Sequence, residues 1–210
     1  MSLDARPFRE FCADLASPAP TPGGGTASAA AAAMGAALVS MVCALTLSKE
    51  KYRDSHEALA PVASEAAEAE ARFRELADRD AAAFDAIVAA RKLPKETEEE
   101  KSRRAEAIEA AGKLAAEVPM ETARRAVNLL SRTALLAEKG NPNAASDAGV
   151  AALLLAAAAE GALLNVGINL GGISDADFVG RMEKETALLV PEIQRLRDQT
   201  SALVRRSFSK

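Results

Sequence analysis

The sequence contains no tryptophan, one tyrosine and six phenylalanines among its 210 residues. Alanine instead dominates an apolar fraction of 49%. A composition of this kind argues against a β-rich fold and favours helices. The core is therefore predicted to consist of small side chains on helices that approach one another closely.

The chain also lacks a large excess of charge of either sign. Its 26 basic and 30 acidic residues are spread along the sequence and give a formal net charge of -4. A protein that binds the phosphate backbone of a nucleic acid needs a concentrated basic surface. We therefore expect no nucleic-acid partner.

Cysteine and histidine are too scarce to suggest a metal site. The chain has two cysteines, Cys12 and Cys43, without C-x-x-C spacing, and one histidine, His56. This pattern predicts reduced, structural thiols, a solvated His56 at a helix start, and no bound metal. No phosphate-binding loop or dinucleotide fingerprint is present either, so carboxylates, lysines and amides would have to perform any chemistry.

The first residues mix both signs of charge before any apolar run, unlike a secretory signal peptide, and this pattern predicts a cytoplasmic protein. Residues 26–48 carry no charge and are long enough to raise the question of a membrane span. However, they are mostly alanine, which scarcely favours lipid over water. We interpret this segment as a central helix buried by its neighbours, and we expect no membrane association.

Helical periodicity and breaks at proline and glycine predict an all-α fold of about seven helices in one domain spanning residues 1–210. Asp4 is expected to cap the first helix, Thr97 to begin a capping box, and Ser174 to cap the last helix. Pro119 is expected to separate the fourth helix from the fifth. The predicted helices cover residues 3–16, 26–48, 56–92, 97–117, 119–139, 146–170 and 174–208.

Two elaborate loops lead directly into the two most apolar helices, whereas a plain bundle needs only short polar turns. In the first loop, Gly23, Gly24 and Gly25 would expose backbone N–H groups at a helix start, which suits a phosphate or carboxylate, although a flexible connector explains them equally well. The second loop contains Asn141, Asn143, Ser146 and Asp147.

Asp147 falls in the first turn of the predicted sixth helix. The helix dipole stabilises a carboxylate there as an anion, so Asp147 is either a cap or an electrostatic partner or base. Asn165 and Asn169 lie one turn apart on the same helix, and Asn165 lies about 27 Å from Asp147 by helical rise. One pocket of a single subunit could not hold both Asp147 and Asn165, whereas an antiparallel second copy would bring them together in a two-fold dimer.

Three segments of the sequence together resemble a known protein family. They are LASPAPTPGGGTASAAAAAMGAALVSMVCALTLSKEKY, DAAAFDAIVAARKLPKETEEEK and EKGNPNAASDAGVAALLLAAAAEGALLNVGINL. In these segments the chain resembles the cyclodeaminase/cyclohydrolase family. That family comprises the C-terminal domain of formiminotransferase-cyclodeaminase and free-standing bacterial methenyltetrahydrofolate cyclohydrolases. The resemblance extends from Phe8 to about Leu189.

The resemblance implies an all-α, mostly antiparallel bundle with a long central apolar helix. It also implies a homodimer whose substrate is a tetrahydrofolate derivative, with no permanently bound cofactor. Because the chain stands alone, the resemblance favours hydrolysis of 5,10-methenyltetrahydrofolate to 10-formyltetrahydrofolate. One alternative is a formiminotetrahydrofolate cyclodeaminase that releases ammonia. Another is a non-catalytic folate-binding or helical assembly protein.

The resemblance also suggests roles for individual side chains. Asp80 and Asp147 would stabilise the cationic methenyl bridge and take a proton from water. Lys51, or secondarily Lys49, would carry a proton to the departing nitrogen. Asn165 would orient water or the pterin. The other expected substrate-binding residues are Gly23, Gly24, Gly25, Asn141, Asn143 and Ser146. Surface ion pairs for the lysines and a satisfied buried amide for Asn165 are the purely structural alternatives.

Overall fold

The computed structural model describes residues 6–208, which form six α-helices and, between them, no strand. The all-α prediction is confirmed. In chain order the helices are α1 Phe8–Leu15, α2 Gly24–Leu47, α3 Arg53–Arg91, α4 Glu98–Lys139, α5 Ala145–Leu170 and α6 Ala176–Ser207. Short 3-10 turns, Glu50–Tyr52 and Pro142–Ala144, precede α3 and α5.

Most predicted boundaries agree with the structure to within three residues, and the exceptions have local causes. The predicted start of the first helix at Leu3 and its cap Asp4 lie outside the described residues, and α1 begins after Pro7. The second helix begins at Gly24, so two glycines assigned to the loop form its first turn. The cap of α6 is not Ser174 but Asp175, whose carboxylate accepts a hydrogen bond from the Phe178 N–H.

The predicted break at Pro119 is wrong, because α4 continues through this residue for 42 residues in all. A proline lacks the N–H that would bond to the carbonyl four residues earlier. Here the Ala115 carbonyl instead accepts a hydrogen bond of 2.7 Å from the Asn169 side-chain nitrogen on α5. A side chain from a neighbouring helix therefore replaces the missing helical bond, and two predicted helices are one.

Successive long helices run antiparallel. The start of α2 contacts the later part of α3 through a hydrogen bond between Thr26 and Asp80. The end of α5 meets the first half of α4 where Asn169 bonds to Ala115. The prediction of a mostly antiparallel bundle is confirmed, and the outer helix α6 instead runs parallel to α4, as an ion pair between Arg124 and Glu185 and one between Lys113 and Asp175 indicate.

Helices α2 and α5 pack against each other with almost no intervening space. A Cβ atom added to Gly35 would lie 2.8 Å from Cγ of Leu155. A Cβ atom added to Gly161 would lie 2.5 Å from Oγ of Ser28. The predicted close approach of small residues is therefore observed where the two most apolar helices cross.

These same two helices are long and apolar enough to cross a membrane by length and composition alone. In the most apolar 18-residue stretch of each helix, 44% of the residues in α2 and 50% of those in α5 are buried inside the protein. Core helices of soluble proteins are often as long and as apolar, so these two helices are weak evidence for a membrane span.

The two cysteines have different environments. Cys43 is buried in α2, and burial raises its pKa to about 11. Cys12 is exposed on α1, and both cysteines are free thiols.

Candidate active site

A pocket of about 270 Å³ opens where the start of α2, the later part of α3 and the end of α5 meet. We call it the glycine pocket and define it by Gly24, Gly25, Asp80, Asn165 and Asn169. Pro20, Thr21 and Gly23 of the preceding loop also line it. Three of the predicted site elements, the glycines, Asp80 and Asn165, are far apart in the sequence and are brought together in this pocket.

Asp80 accepts hydrogen bonds from the first turn of α2. The Thr26 hydroxyl donates to its carboxylate at 2.8 Å, and the Thr26 backbone N–H donates to it as well. Burial raises the pKa of Asp80, and the two hydrogen bonds from Thr26 partly oppose this rise. An acidic side chain of the protein itself therefore lies at this helix start.

The glycines at the start of α2 give Asp80 the space it occupies. A Cβ atom added to Gly25 would lie 2.2 Å from a carboxylate oxygen of Asp80, far inside van der Waals contact. A Cβ atom added to Gly24 would lie 3.3 Å from the side-chain nitrogen of Asn165. Gly25 is therefore required by the contact with Asp80 rather than by an unusual backbone conformation.

The two asparagines of α5 each use their amide nitrogen to bond to a backbone carbonyl. Asn165 donates to the Gly161 carbonyl at 2.8 Å, and Asn169 donates to the Ala115 carbonyl at 2.7 Å. Because a carbonyl only accepts, the atom facing it must be the nitrogen, and the opposite atom of each amide must be the oxygen. Asn165, Asn169 and Asp80 thus bring hydrogen-bond acceptors to the glycine pocket, and its described lining residues include no lysine or arginine.

Apolar side chains form the remaining walls of the pocket. Phe84 and Ile87 come from α3, and Ile168 comes from α5. Ile168 is 78% exposed. A flat, partly apolar ligand with several N–H donors matches such a lining better than an anion does.

The other predicted site residues lie at the opposite end of the bundle. We call this region the lysine end and define it by Lys49, Lys51, Tyr52, Asn141 and Asp147. Tyr52 donates a hydrogen bond of 2.9 Å to the Asn141 side-chain oxygen, and the Asn141 N–H donates to the Thr46 hydroxyl. These bonds fasten the start of α5 to the end of α2.

Within the lysine end, Lys51 is exposed and lies over the Tyr52 ring at 4.7 Å. Asn143 is exposed, and its N–H donates to the Asn141 side-chain oxygen. Ser146 is exposed and Asp147 is half-buried in the first turn of α5. His56, in the first turn of α3, lies 3.3 Å from the Lys49 carbonyl through its Nε2 atom.

The two regions are separated by the length of α2, which at 24 residues is about 36 Å. The sequence predicts this separation for Asp147 and Asn165, and the two loops accordingly do not meet within one chain. Among residues 6–208, no three histidine, cysteine or acidic side chains are arranged to hold a metal ion.

Sequence reasoning did not identify Thr26, Tyr52 or the hydrogen bond from Asn169 to the Ala115 carbonyl that Pro119 leaves free. Thr26 follows three glycines at a helix start, and Tyr52 is the only tyrosine in the sequence. Both are distinctive in the sequence, but the sequence does not indicate which residues they bond to. The third feature depends on which helices become neighbours, and no local pattern carries that information.

Comparison with known proteins places this architecture among folate enzymes. The family described as formiminotransferase-cyclodeaminase matches residues 7–188. A methenyltetrahydrofolate cyclohydrolase of Methylorubrum extorquens is 42% identical, over 90% of this chain and 91% of that protein. A formimidoyltransferase-cyclodeaminase of Sus scrofa is 36% identical over 91% of this chain, which corresponds to 35% of that longer protein. A crystal structure of formiminotetrahydrofolate cyclodeaminase from Thermotoga maritima superposes with a TM-score of 0.86 at 32% identity, covering 97% of this chain and 98% of that one.

Proposed function

Because the chain belongs to the formiminotransferase-cyclodeaminase family, we propose that it is an enzyme that hydrolyses 5,10-methenyltetrahydrofolate to 10-formyltetrahydrofolate. The main support is the 42% identity to a methenyltetrahydrofolate cyclohydrolase along nearly the whole of both chains. The proposal includes a folate substrate, a cytoplasmic location and no permanently bound cofactor.

The reaction requires a base and a proton carrier. The oxygen of water bonds to the cationic carbon between N5 and N10 and loses a proton to a base. The bond from this carbon to N5 then breaks, N5 keeps the electron pair, and a proton moves from the hydroxyl of the adduct to N5. The net products are the formyl group on N10 and one released proton. A carboxylate near the bridge assists both by its charge and as a base.

We assign the base to Asp80. Its carboxylate is the acidic side chain in the glycine pocket, and the two hydrogen bonds from Thr26 fix its position. Because burial raises its pKa, its carboxylate accepts a proton more readily than an exposed aspartate does. Thr26 is then a positioning residue, and Asn165 orients water or the pterin beside Asp80.

The proton carrier in this proposal comes from a second copy of the chain. Neither Lys51 nor Asp147 of the same chain can reach Asp80, since they lie at the other end of α2. The outer faces of α2 and α5 carry exposed apolar side chains along their length, a surface typical of a subunit interface. These side chains are Met34, Met41 and Leu45 on α2, and Val150, Leu153, Leu164 and Ile168 on α5.

A two-fold axis across this apolar surface would set α5 antiparallel to its copy. The late part of α5, with Asn165, would then lie beside the early part of the partner helix, with Asp147. Each dimer would contain two sites, each joining the glycine pocket of one subunit to the lysine end of the other. Lys51 of the partner subunit would carry the proton to N5, and Lys49, Asn141, Asn143 and Ser146 would contact the rest of the folate.

The activity is tested by following the loss of methenyl absorbance, corrected for spontaneous hydrolysis, alongside ammonia release from 5-formiminotetrahydrofolate. We expect accelerated hydrolysis that Asp80→Asn reduces by about 10²- to 10⁴-fold, the usual contribution of a general base. Asp85→Asn, on the exposed side of α3, is the matched control. Ammonia release without accelerated hydrolysis would favour the cyclodeaminase, which is also the activity of the structural relative from Thermotoga maritima.

A further inference from the structure

Asn169 connects the missing helical hydrogen bond in α4 to the glycine pocket. Its amide nitrogen bonds to the Ala115 carbonyl, and this carbonyl has no helical donor because residue 119 is a proline. Both Ala115 and Asn169 line the pocket. The orientation of the amide is therefore fixed by the backbone of another helix.

This fixed orientation determines what Asn169 can offer to a ligand. With one N–H bonded to the Ala115 carbonyl, the amide keeps its oxygen as a hydrogen-bond acceptor beside the pocket, together with a second N–H. Asn165, one turn earlier, is held in the same way by the Gly161 carbonyl. Two amide oxygens one helical turn apart, together with Asp80, form a set of acceptors that would bind N–H donors and repel anions.

The two ends of a folate differ in this respect. The pterin ring is flat and carries N–H donors at its amino group, N3 and N8, whereas the benzoylglutamate end carries carboxylates. The volume of about 270 Å³ lies below the range of about 300–1,000 Å³ that is typical of sites for whole drug-sized ligands. The pocket therefore has room for one ring system rather than for a complete folate.

We propose that Asn169 is a specificity-determining residue that accepts a hydrogen bond from the pterin end of the substrate, with its amide held in place by the carbonyl that Pro119 leaves free. This inference rests on the proposed folate substrate. It gives the ligand a direction, with the pterin in the glycine pocket and the anionic end towards the lysines of the partner subunit.

A purely structural role for Asn169 makes a different prediction. In that case the amide only repairs the helix, and a restored helical bond would make it dispensable. Pro119→Ala supplies an N–H that can donate to the Ala115 carbonyl. The double variant Pro119→Ala/Asn169→Leu thus satisfies the carbonyl and removes the amide oxygen, with a side chain of similar size.

The test measures dissociation constants of two probes, 6-methyltetrahydropterin and p-aminobenzoylglutamate, together with thermal stability. We expect Asn169→Leu to lower stability and to weaken binding of the pterin probe by about 5- to 10-fold, which corresponds to the loss of one hydrogen bond. The double variant should regain stability but keep the weak pterin binding. Binding of p-aminobenzoylglutamate should stay unchanged throughout. Asn128→Leu, on the exposed side of α4, and Pro61→Ala, at an exposed proline inside α3, are the matched controls.

Pterin binding that recovers with stability in the double variant would overturn the assignment, as would equal weakening of both probes. Either result in a protein that still hydrolyses methenyltetrahydrofolate would leave the proposed function intact. If the unaltered protein binds neither probe and shows no hydrolysis, the proposed function fails, and the assignment fails with it.

Discussion

Gly25 is a residue at which a single added methyl group should have a large local effect. Its Cβ would lie 2.2 Å from a carboxylate oxygen of Asp80, and Asp80 is held by Thr26. We expect Gly25→Ala to reduce the free energy of unfolding by about 1–3 kcal/mol, the usual cost of overpacking, and to reduce hydrolysis because Asp80 is displaced. Urea denaturation and the hydrolysis assay measure the two effects.

Gly180→Ala is the matched control for this substitution. A Cβ atom at Gly180 would meet no atom within 4 Å, and the residue lies inside α6. Alanine at an open helical position stabilises by roughly 0.5–1 kcal/mol relative to glycine. If Gly25→Ala were as stable and active as Gly180→Ala, the close contact between Gly25 and Asp80 would not exist in solution.

Because of Asp80, the stability of the protein should fall as pH rises. Because its pKa is raised in the folded state, the folded protein binds the proton more tightly than the unfolded chain does. The stabilisation from this group is complete below the ordinary pKa of aspartate and is lost as pH rises through the raised value. Asp80→Asn should therefore be more stable than the unaltered protein at pH 7, and this difference should shrink at about pH 4.

Thermal denaturation at both pH values measures this difference, and Asp85→Asn again serves as the control. The contrary result is a stability difference between Asp80→Asn and the unaltered protein that is less favourable to the variant at pH 7 than at pH 4. It would mean that the hydrogen bonds from Thr26 outweigh the effect of burial. Greater stability combined with lost hydrolysis would indicate that this half-buried carboxylate is kept for catalysis at the expense of stability.

At the scale of the helix, the start of α4 is held by a capping box. The Thr97 hydroxyl accepts a hydrogen bond from the Glu100 N–H, and the Glu100 carboxylate accepts one from the Thr97 N–H. We expect Thr97→Ala to cost about 1 kcal/mol, or about 2–4 °C in melting temperature, while hydrolysis at 25 °C is unchanged. Thr97→Ser, which keeps the hydroxyl, should melt like the unaltered protein; equal losses in both variants would contradict the capping role.

Local patterns predicted most of the helices, because apolar periodicity, capping residues and glycine stops act over a few positions. The capping box at Thr97 and the start of α5 after the 3-10 turn at Pro142 follow from such patterns. Pro119 shows where this reasoning ends. Whether a proline stops a helix depends on whether another group can bond to the free carbonyl, and here that group, Asn169, is 54 residues from the carbonyl of Ala115.

At the scale of the whole molecule, the two halves of the predicted site are complete only if two chains associate. In the proposed dimer, Asp80 and Asp147 that act together belong to different subunits. Mixing Asp80→Asn with Asp147→Asn should therefore restore activity, because a mixed dimer contains one site with both carboxylates. With random exchange of subunits, the mixture should reach about a quarter of the activity of the unaltered protein.

Each variant alone, treated identically, supplies the control, and native mass spectrometry establishes that subunits have exchanged. Recovery of activity would require a shared site. Exchange without recovery would show that the two residues do not complete one site between subunits, and the proposed arrangement of α5 would be wrong.

Sequence reasoning named candidate side chains, whose roles in a site stay predictions. It identified Gly25, Asp80 and Asn165, and the structure places them in one pocket. It also identified Lys51 and Asp147, which lie at the far end of the bundle, and their roles stay predictions. Residue types and the family resemblance indicate which side chains to consider, whereas their distances depend on how whole helices pack.

The tight crossing of α2 and α5 also limits the order in which mutations can accumulate. Gly35 has no space beside Leu155, so a larger residue at position 35 is tolerated only after position 155 has become smaller. Shrinking position 155 first passes through a cavity in place of a clash, which costs stability but leaves the backbone where it is. Divergence along this crossing is therefore expected to proceed by shrinking first and growing afterwards, and a library that varies both positions together should recover more folded proteins than one that enlarges Gly35 alone.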